Sequence, residues 1–249
     1  MAFTKPIFPF LRSTRPPTFS VIPPHEDLSL LALNLTSLIE IPGIFGEDMR
    51  SAIYDLRELT WYAEWIKSDV SGASHFNDET EHYFNNEVLH VEYTLHQDRY
   101  LPTGQAKGDA SIEGCVRLAC LLFHNTAIWD FYPHMAPVFP KPIIALRMAL
   151  EATIPTGCYA PCRDLFTWLL FIGACSCLPV PGQMSSPERG FFMRGLATAV
   201  RVQGVQSWQA LRGCLMRFFY VDRRYLRPLR KVWDEIQGMI YDYEMIRST

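Results

Sequence analysis

The sequence predicts an all-α protein, a single globular array of about eight to ten amphipathic helices in an irregular bundle. Apolar residues recur three and four positions apart along most of the chain, as the core-facing stripe of a helix requires. Strand-like alternation is scarce, and no two-residue hairpin turn separates alternating runs. The 249 residues are 49% hydrophobic and 20% charged, which is ordinary globular composition and long enough for a sizeable core.

The first residues predict a tail and not a helix. Residues 1–24 are rich in proline, which fixes the backbone and opposes helix formation, so we expect a flexible tail there. The stretch lacks the uninterrupted apolar run and the small-residue cleavage site of a secretory signal, and its prolines oppose the amphipathic helix of a transit peptide. The helical domain is predicted over residues 25–249.

Helices in the first half follow from leucine and isoleucine spacing and from proline and glycine stops. The stripe Leu28, Leu31, Leu35 and Leu38 predicts a first helix that ends at Pro42-Gly43. Further helices are predicted over 47–68, 78–97, and from Asp109 or Ser111 to about 130, with loops at 68–77 and 98–108.

The second half predicts five more helices. Their expected ranges are about 142–151, about 161 or 164 to 178, 186–201, 205–220, and a last helix with Pro228 near its start that runs to about 240. The uncharged stretch from Leu165 to Met184 is interrupted by Pro179 and Pro181. About fourteen helical residues remain, fewer than the roughly 20 that a bilayer needs, so we expect a buried helix and no membrane span.

Seven cysteines, most of them among apolar neighbours, indicate free thiols in a reducing compartment. Structural zinc needs closely paired thiolates, such as repeated Cys-x2-Cys. The chain offers only Cys158-x3-Cys162 and Cys175-x-Cys177, so no metal site is predicted from them.

Five segments carry a resemblance through their order and spacing. They are a helix with Arg-Leu-Ala at 117–119, the run Leu-Phe-Thr-Trp-Leu-Leu-Phe-Ile-Gly-Ala at 165–174, the helix start Glu-Arg-Gly-Phe-Phe at 188–192, a helix opened by Trp208 and closed by Phe-Phe-Tyr at 218–220, and Lys-Val-Trp-Asp-Glu-Ile at 231–236. Together they resemble the fungal-specific transcription factor regulatory region, over about residues 26–246.

The resemblance implies a nuclear transcription regulator that acts by binding an effector or a partner and is not an enzyme; the alternative location is the cytoplasm. Such factors usually begin with a six-cysteine zinc cluster that binds DNA, but the first cysteine here is Cys115. No DNA-contacting residue, cofactor or metal ligand is therefore predicted. The chain is either a fragment or a relative without the cluster, and a protein partner or a homodimer is expected, with a small-molecule effector as an option.

Two other functions stay open. A helical scaffold or dimerisation protein without a transcriptional role would explain a chain that lacks the zinc cluster. A helical enzyme ranks third, because no nucleophile elbow, phosphate loop or aspartate-rich metal motif is present.

Two Glu-x-x-His pairs, Glu79/His82 and Glu87/His90, match half of a di-iron site. Both lie on one predicted helix, whereas that site draws one pair from each of two helices. We therefore interpret them as a solvated, charged helix face.

His124 and His134 flank the aromatic residues Trp129, Phe131 and Tyr132, and with Cys120 they suggest a metal site; a buried histidine with a hydrogen-bond partner is the favoured interpretation.

Between Ala210 and Lys231 seven basic residues meet one acidic residue, Asp222, in a chain of net charge −3. This stretch fits either a nucleic-acid or nuclear-import patch or the exposed face of two amphipathic helices, and we favour the second.

The aromatic group Trp61, Tyr62, Trp65, Trp129 and Phe131 is either core or the lining of a ligand pocket.

Overall fold

All regular structure in the described part of the chain is helical, which confirms the predicted all-α class. The computed structural model describes residues 28–67, 78–101, 103–129, 140–177 and 186–248. Within these ranges the only β-type pairing is an isolated bridge between Tyr100 and Ala106. The predicted tail at 1–24 lies outside the described residues.

Nine α-helices, counted over the described ranges, fall within the predicted number. In chain order they are α1 (Leu33–Ile39), α2 (Glu47–Lys67), α3 (Asp78–Gln97), α4 (Ile112–Phe123), α5 (Pro140–Thr153), α6 (Arg163–Ser176), α7 (Pro187–Val202), α8 (Trp208–Leu215) and α9 (Asp222–Ser248). A π-helix (His124–Ile128) continues α4, and a 3-10 helix (Ile154–Thr156) follows α5.

Serine caps fix where three of the helices begin. The side chains of Ser111, Ser186 and Ser207 accept hydrogen bonds from backbone N–H groups of the first turns of α4, α7 and α8. Such a cap satisfies a donor that the helix itself leaves unpaired. For this reason α8 begins at Trp208 and not at Val205, as the apolar spacing alone had predicted.

Helix α6 lies at the centre of the protein. Every residue from Thr167 to Ser176 is buried, and the helix packs against α4, α5, α7, α8 and α9. A Cβ on Gly173 would lie 2.3 Å from the Phe192 ring, so the absence of a side chain allows α6 and α7 to approach closely. The stretch at 165–176 is thus a buried helix, as predicted; within the described ranges no helix is both long and apolar enough to cross a membrane.

Helix α1 begins later than its leucine spacing predicted. Ala32 has φ 58° and interrupts the helical path after Leu31. The N–H of Ala32 donates to the Phe218 carbonyl at 3.1 Å, and the N–H of Asn34 donates to the Arg217 carbonyl at 2.9 Å. These bonds to the turn after α8 replace the first helical turn, so α1 begins only at Leu33.

Helix α9 begins earlier than predicted, since Pro228 lies inside it and not near its start. Tyr225 and Leu229 are 2% and 0% exposed and continue the buried stripe of Val232 toward the N-terminus. Proline removes one backbone donor from a helix. Burial of this stripe on both sides of Pro228 accounts for the continuation of the helix through it.

Candidate functional site

A group of five charged residues, two of them buried and three partly exposed, joins the loop after α3 to α4. We name Asp98, Lys107, Asp109, Glu113 and Arg117 the charged junction. Arg117 is 1% exposed, and its guanidinium donates to Asp98 Oδ2 and Asp109 Oδ1, both at 2.6 Å. Asp98 is fully buried. A buried charge is tolerated only when it is paired in this way.

Lys107 and Glu113 complete the charged junction. The Lys107 ammonium donates to Asp98 Oδ1 and to Glu113 Oε1, both at 2.9 Å. Burial opposes the charge of Lys107, but these two hydrogen bonds outweigh it and raise the pKa of the ammonium. Glu113 also accepts from the N–H of Gly46, just before α2. The carboxylates of the junction are thus engaged within the protein and hold the loop, α4 and the start of α2 together.

An aromatic junction connects α6 to the turn between α8 and α9. Trp168 on α6 is fully buried, and its indole N–H donates to the Phe219 carbonyl at 3.0 Å. Its ring stacks on Phe218, with centroids 5.5 Å apart. The indole thus fixes both the backbone and a side chain of the turn that holds α1.

Arg189 links three helices at the opposite end of α6. Its guanidinium donates to both carboxylate oxygens of Glu235 on α9, at 2.7 and 2.8 Å, and to the Ala174 carbonyl of α6 at 2.9 Å. Four of the five segments that carry the resemblance therefore meet around α6, at the aromatic junction and at Arg189. The fifth segment contains Arg117 and belongs to α4, which packs against α6.

An open groove of about 430 Å³ lies between α1 and the segment that leads into α6. Leu165 and Phe218, each 1% exposed, form its floor. The remaining lining residues are Asn34, Ser37, Leu38, Ile41, Ala160, Pro161, Cys162, Arg163 and Asp164. Most of the lining is apolar, with polar or charged side chains at Asn34, Ser37, Arg163 and Asp164, and the groove is open to solvent. Phe218 belongs to both the groove and the aromatic junction.

The prediction of a solvated, charged face on α3 is wrong for the second Glu-x-x-His pair, Glu87 and His90. Glu87 is 6% exposed, and His90 is half-buried with Nε2 3.6 Å from Asp55 Oδ2. Asp55 belongs to α2, which packs against α3, so His90 faces α2, and Glu87 is buried about one turn earlier. His82 is exposed, and the side chain of Glu79 lies outside the described residues.

His124 begins the π-helix and is fully buried. Its Nε2 lies 3.0 Å from the Val88 carbonyl, so this nitrogen carries the proton and donates. Burial lowers the pKa of His124 to about 4, which keeps the ring neutral. No three His, Cys, Asp or Glu side chains of the described ranges lie together as metal ligands would. His134, Phe131 and Tyr132 lie outside those ranges.

The cysteines are free thiols in the structure. Cys115, Cys120, Cys175 and Cys177 are buried, and burial raises the pKa of each; for Cys177 the value is about 12. A thiol that stays protonated is a poor nucleophile and a poor metal ligand.

The aromatic residues of α2 pack within the protein and do not line the groove. Tyr62 is 6% exposed and makes ring contacts with Trp65, Tyr83 and Phe84 at 5.5–5.9 Å. The Trp61 indole N–H donates to the Leu28 carbonyl at 3.3 Å. These contacts favour a role in packing.

The basic stretch divides into paired and solvent-facing residues. Arg212 pairs with Asp222, and Arg223 donates to Glu64 on α2 at 2.9 Å. Arg230 covers the Trp208 ring, 4.6 Å from its centroid. The stretch therefore spans two amphipathic helices, with Leu215 and Trp233 in the core on their inner sides.

Sequence reasoning missed both the charged junction and the groove. One signal was available for the first, since Arg117 is the lone cation within the apolar run 114–123 of α4, and a cation at such a position requires buried partners. Nothing in the loop sequence indicated that Asp98 and Asp109 supply them.

No family model, no curated protein and no solved structure matches this chain.

Proposed function

We propose that this chain is a non-catalytic regulatory domain of a transcription factor, acting through an effector or a protein partner. The observation that carries the proposal is the arrangement of the segments that resemble the fungal regulatory region. Trp168 contacts Phe218 and Phe219, and Arg189 contacts Glu235. The proposal is supported by these contacts, which join four of the segments that carry the resemblance.

The groove suits the effector-sensing part of this function. A ligand on its floor would touch Phe218, and Phe218 stacks on Trp168 of the central helix. A ligand that prefers one arrangement of this stack over another would shift the population of helix packings by its difference in affinity. The nuclear location belongs to the same proposal.

Tethering the full chain to a heterologous DNA-binding domain at a yeast reporter tests the transcriptional role. We expect reporter transcription to differ from that with the DNA-binding domain alone. Trp168→Phe keeps an aromatic ring but loses the bond to the Phe219 carbonyl, and should alter the effect at equal protein abundance. Tyr54→Phe, an equivalent change on an exposed ring, should not.

An abundant fusion that leaves the reporter unchanged in a fungal nucleus contradicts the transcriptional role. Stable self-association of that same fusion would then favour the scaffold function.

A thermal-shift screen of small molecules tests the groove separately. Ligands of the groove should raise the Tm of the native chain but not that of Ser37→Trp, which fills the groove from α1. Glu40, the residue that caps the C-terminal end of α1, is exposed and outside the groove lining, so Glu40→Trp serves as the control. Ligands that stabilise Ser37→Trp as well as the native chain bind elsewhere.

A further inference from the structure

The solvent side of α9 carries one sign of charge over its first three turns. We name this surface the basic face; its residues are Arg223, Arg224, Arg227, Arg230 and Lys231. At about 100° per residue these five positions fall within an arc of roughly 120°. The buried positions Tyr225, Leu229, Val232 and Ile236 lie on the opposite side. Four of the five cations are exposed on this side, and Arg224, at the edge of the arc, is half-buried.

Two arginines of the basic face are held in place by the protein. Arg223 donates to Glu64 and to the Ala127 carbonyl at 2.8 Å, and Arg230 lies over the Trp208 ring. A guanidinium stacked on an aromatic ring keeps its in-plane N–H donors available to a carboxylate. These two side chains are therefore ordered before any partner arrives.

The other cations have no such partner among the described residues. Arg227 and Lys231 are exposed and Arg224 is half-buried, and no carboxylate of the described ranges lies within ion-pairing distance of any of the three. Like charges on one helix face repel one another. An opposite charge brought to this face would relieve that repulsion.

Acidic residues limit the basic face at both ends. Asp222 and Glu64 lie at the N-terminal end, and Asp234 and Glu235 follow Lys231. From Arg223 to Lys231 the face is about 12 Å long, at 1.5 Å per residue. The positive potential is therefore local, in a chain whose net charge is −3.

We propose that the basic face binds a short acidic segment of a protein partner, with carboxylates spaced along two to three turns of a helix. Arg and Lys at these positions can meet carboxylates three and four residues apart on such a segment. A nucleic acid fits less well, because duplex DNA carries a charge about every 1.7 Å and would extend past the face onto Asp234 and Glu235. The inference names a partner for the interaction role and rests on the proposed function to that extent.

Fluorescence anisotropy with two labelled helical peptides of equal composition tests the proposal. One peptide places four glutamates on a single face, and its isomer distributes them around the helix. The full chain should bind the first more tightly than the second. Arg227→Glu with Lys231→Glu should weaken that binding about tenfold or more, since two attractions become repulsions. Raising the salt from 50 to 500 mM should weaken it as well.

The matched control is Arg194→Glu with Lys141→Glu. It exchanges one exposed arginine and one exposed lysine on α7 and α5, so the net charge changes equally. Binding of the one-faced peptide should be unchanged. Circular dichroism of both double variants confirms that the fold is kept, because all four positions are exposed.

Three outcomes overturn the proposal: equal affinity for both peptides, an equal loss of binding in the control variant, or tighter binding to a 12-base-pair duplex or to phosphatidylserine vesicles than to the one-faced peptide. Each of these is read from purified protein. A silent reporter fusion together with normal peptide binding would instead count against the transcriptional role alone.

Discussion

The charged junction and the basic face use the same arginine and lysine chemistry in opposite surroundings. In the junction Arg117 is excluded from water and has carboxylates 2.6 Å from its guanidinium. On the basic face Arg227 is exposed, without an ion pair in the described part of the chain. Burial and pairing therefore decide whether a cation stabilises the fold or stays available to a partner.

The free-energy cost of removing a charge should differ accordingly. Loss of Arg117 takes the closer of two cations from the fully buried Asp98 carboxylate and leaves only Lys107 beside it, and breaking a buried ion pair is among the most destabilising changes in a protein. Loss of Arg227, an exposed cation of the basic face, breaks no ion pair among the described residues and relieves repulsion between its neighbours.

Arg117→Met should have the largest effect. It leaves Asp98 buried without its main partner, and we expect the free energy of unfolding to fall by about 3–5 kcal/mol. Urea denaturation followed by circular dichroism measures the loss. Arg227→Met is the matched control on the basic face and should change the free energy by less than about 0.5 kcal/mol.

The double variant Arg117→Met/Asp98→Asn sharpens that prediction. In Arg117→Met the buried Asp98 carboxylate keeps only Lys107 as a partner, so neutralising it should restore part of the stability relative to Arg117→Met alone. The single variant Asp98→Asn is measured as well. If the double variant loses as much free energy of unfolding as Arg117→Met and Asp98→Asn lose together, Arg117 and Asp98 do not act as a unit.

His124 is a buried group of a third kind, because it is neutral and not paired with an opposite charge. Its folded-state pKa of about 4 lies below the usual 6.5, so the unfolded chain binds the proton more tightly. The resulting stability is fully present above pH 6.5 and is lost as the pH falls toward 4. Between pH 7 and pH 5 we expect a loss of about 2 kcal/mol from this residue.

Urea denaturation of the native chain and of His124→Gln at both pH values isolates this contribution. The glutamine amide can still donate to the Val88 carbonyl but does not titrate. His96, whose pKa burial and the nearby Arg99 and Arg117 also lower, adds to the loss in both proteins. An equal pH dependence of the two proteins would mean that His124 is not held neutral by burial.

Lys107→Met should have an intermediate effect, because Lys107 lies at the edge of the charged junction with its side chain 22% exposed. Asp98 keeps Arg117, and Glu113 keeps the Gly46 N–H. We expect a loss of about 1–2 kcal/mol, between the values for buried and surface pairs. Lys141→Met is the exposed control, and a similar loss there would contradict a specific role for the junction.

The sequence predicted helices where a single periodicity decides the structure. The apolar stripe of α4 and the uncharged run of α6 gave both helices near their observed positions. It failed where tertiary contacts compete with local preference: backbone bonds to Phe218 and Arg217 shorten α1, and burial of Tyr225 carries α9 through Pro228.

The candidate sites were harder to predict because their residues are distant in sequence. Asp98 and Arg117 are 19 residues apart, and the groove joins α1 to a turn more than 120 residues later. Helical periodicity describes only one element at a time, so it indicates which side of a helix is buried but not which element covers it.

Glu235→Gln should have the smallest effect, although its bond with Arg189 is as short as those of the charged junction. The Glu235 side chain is 45% exposed, so water and salt already screen the pair. Arg189 also keeps its bond to the Ala174 carbonyl. We expect a loss of about 0.5 kcal/mol in urea denaturation at low salt, vanishing in 1 M NaCl. A loss as large as that of Arg117→Met would show that bond geometry, and not burial, separates the two kinds of ion pair.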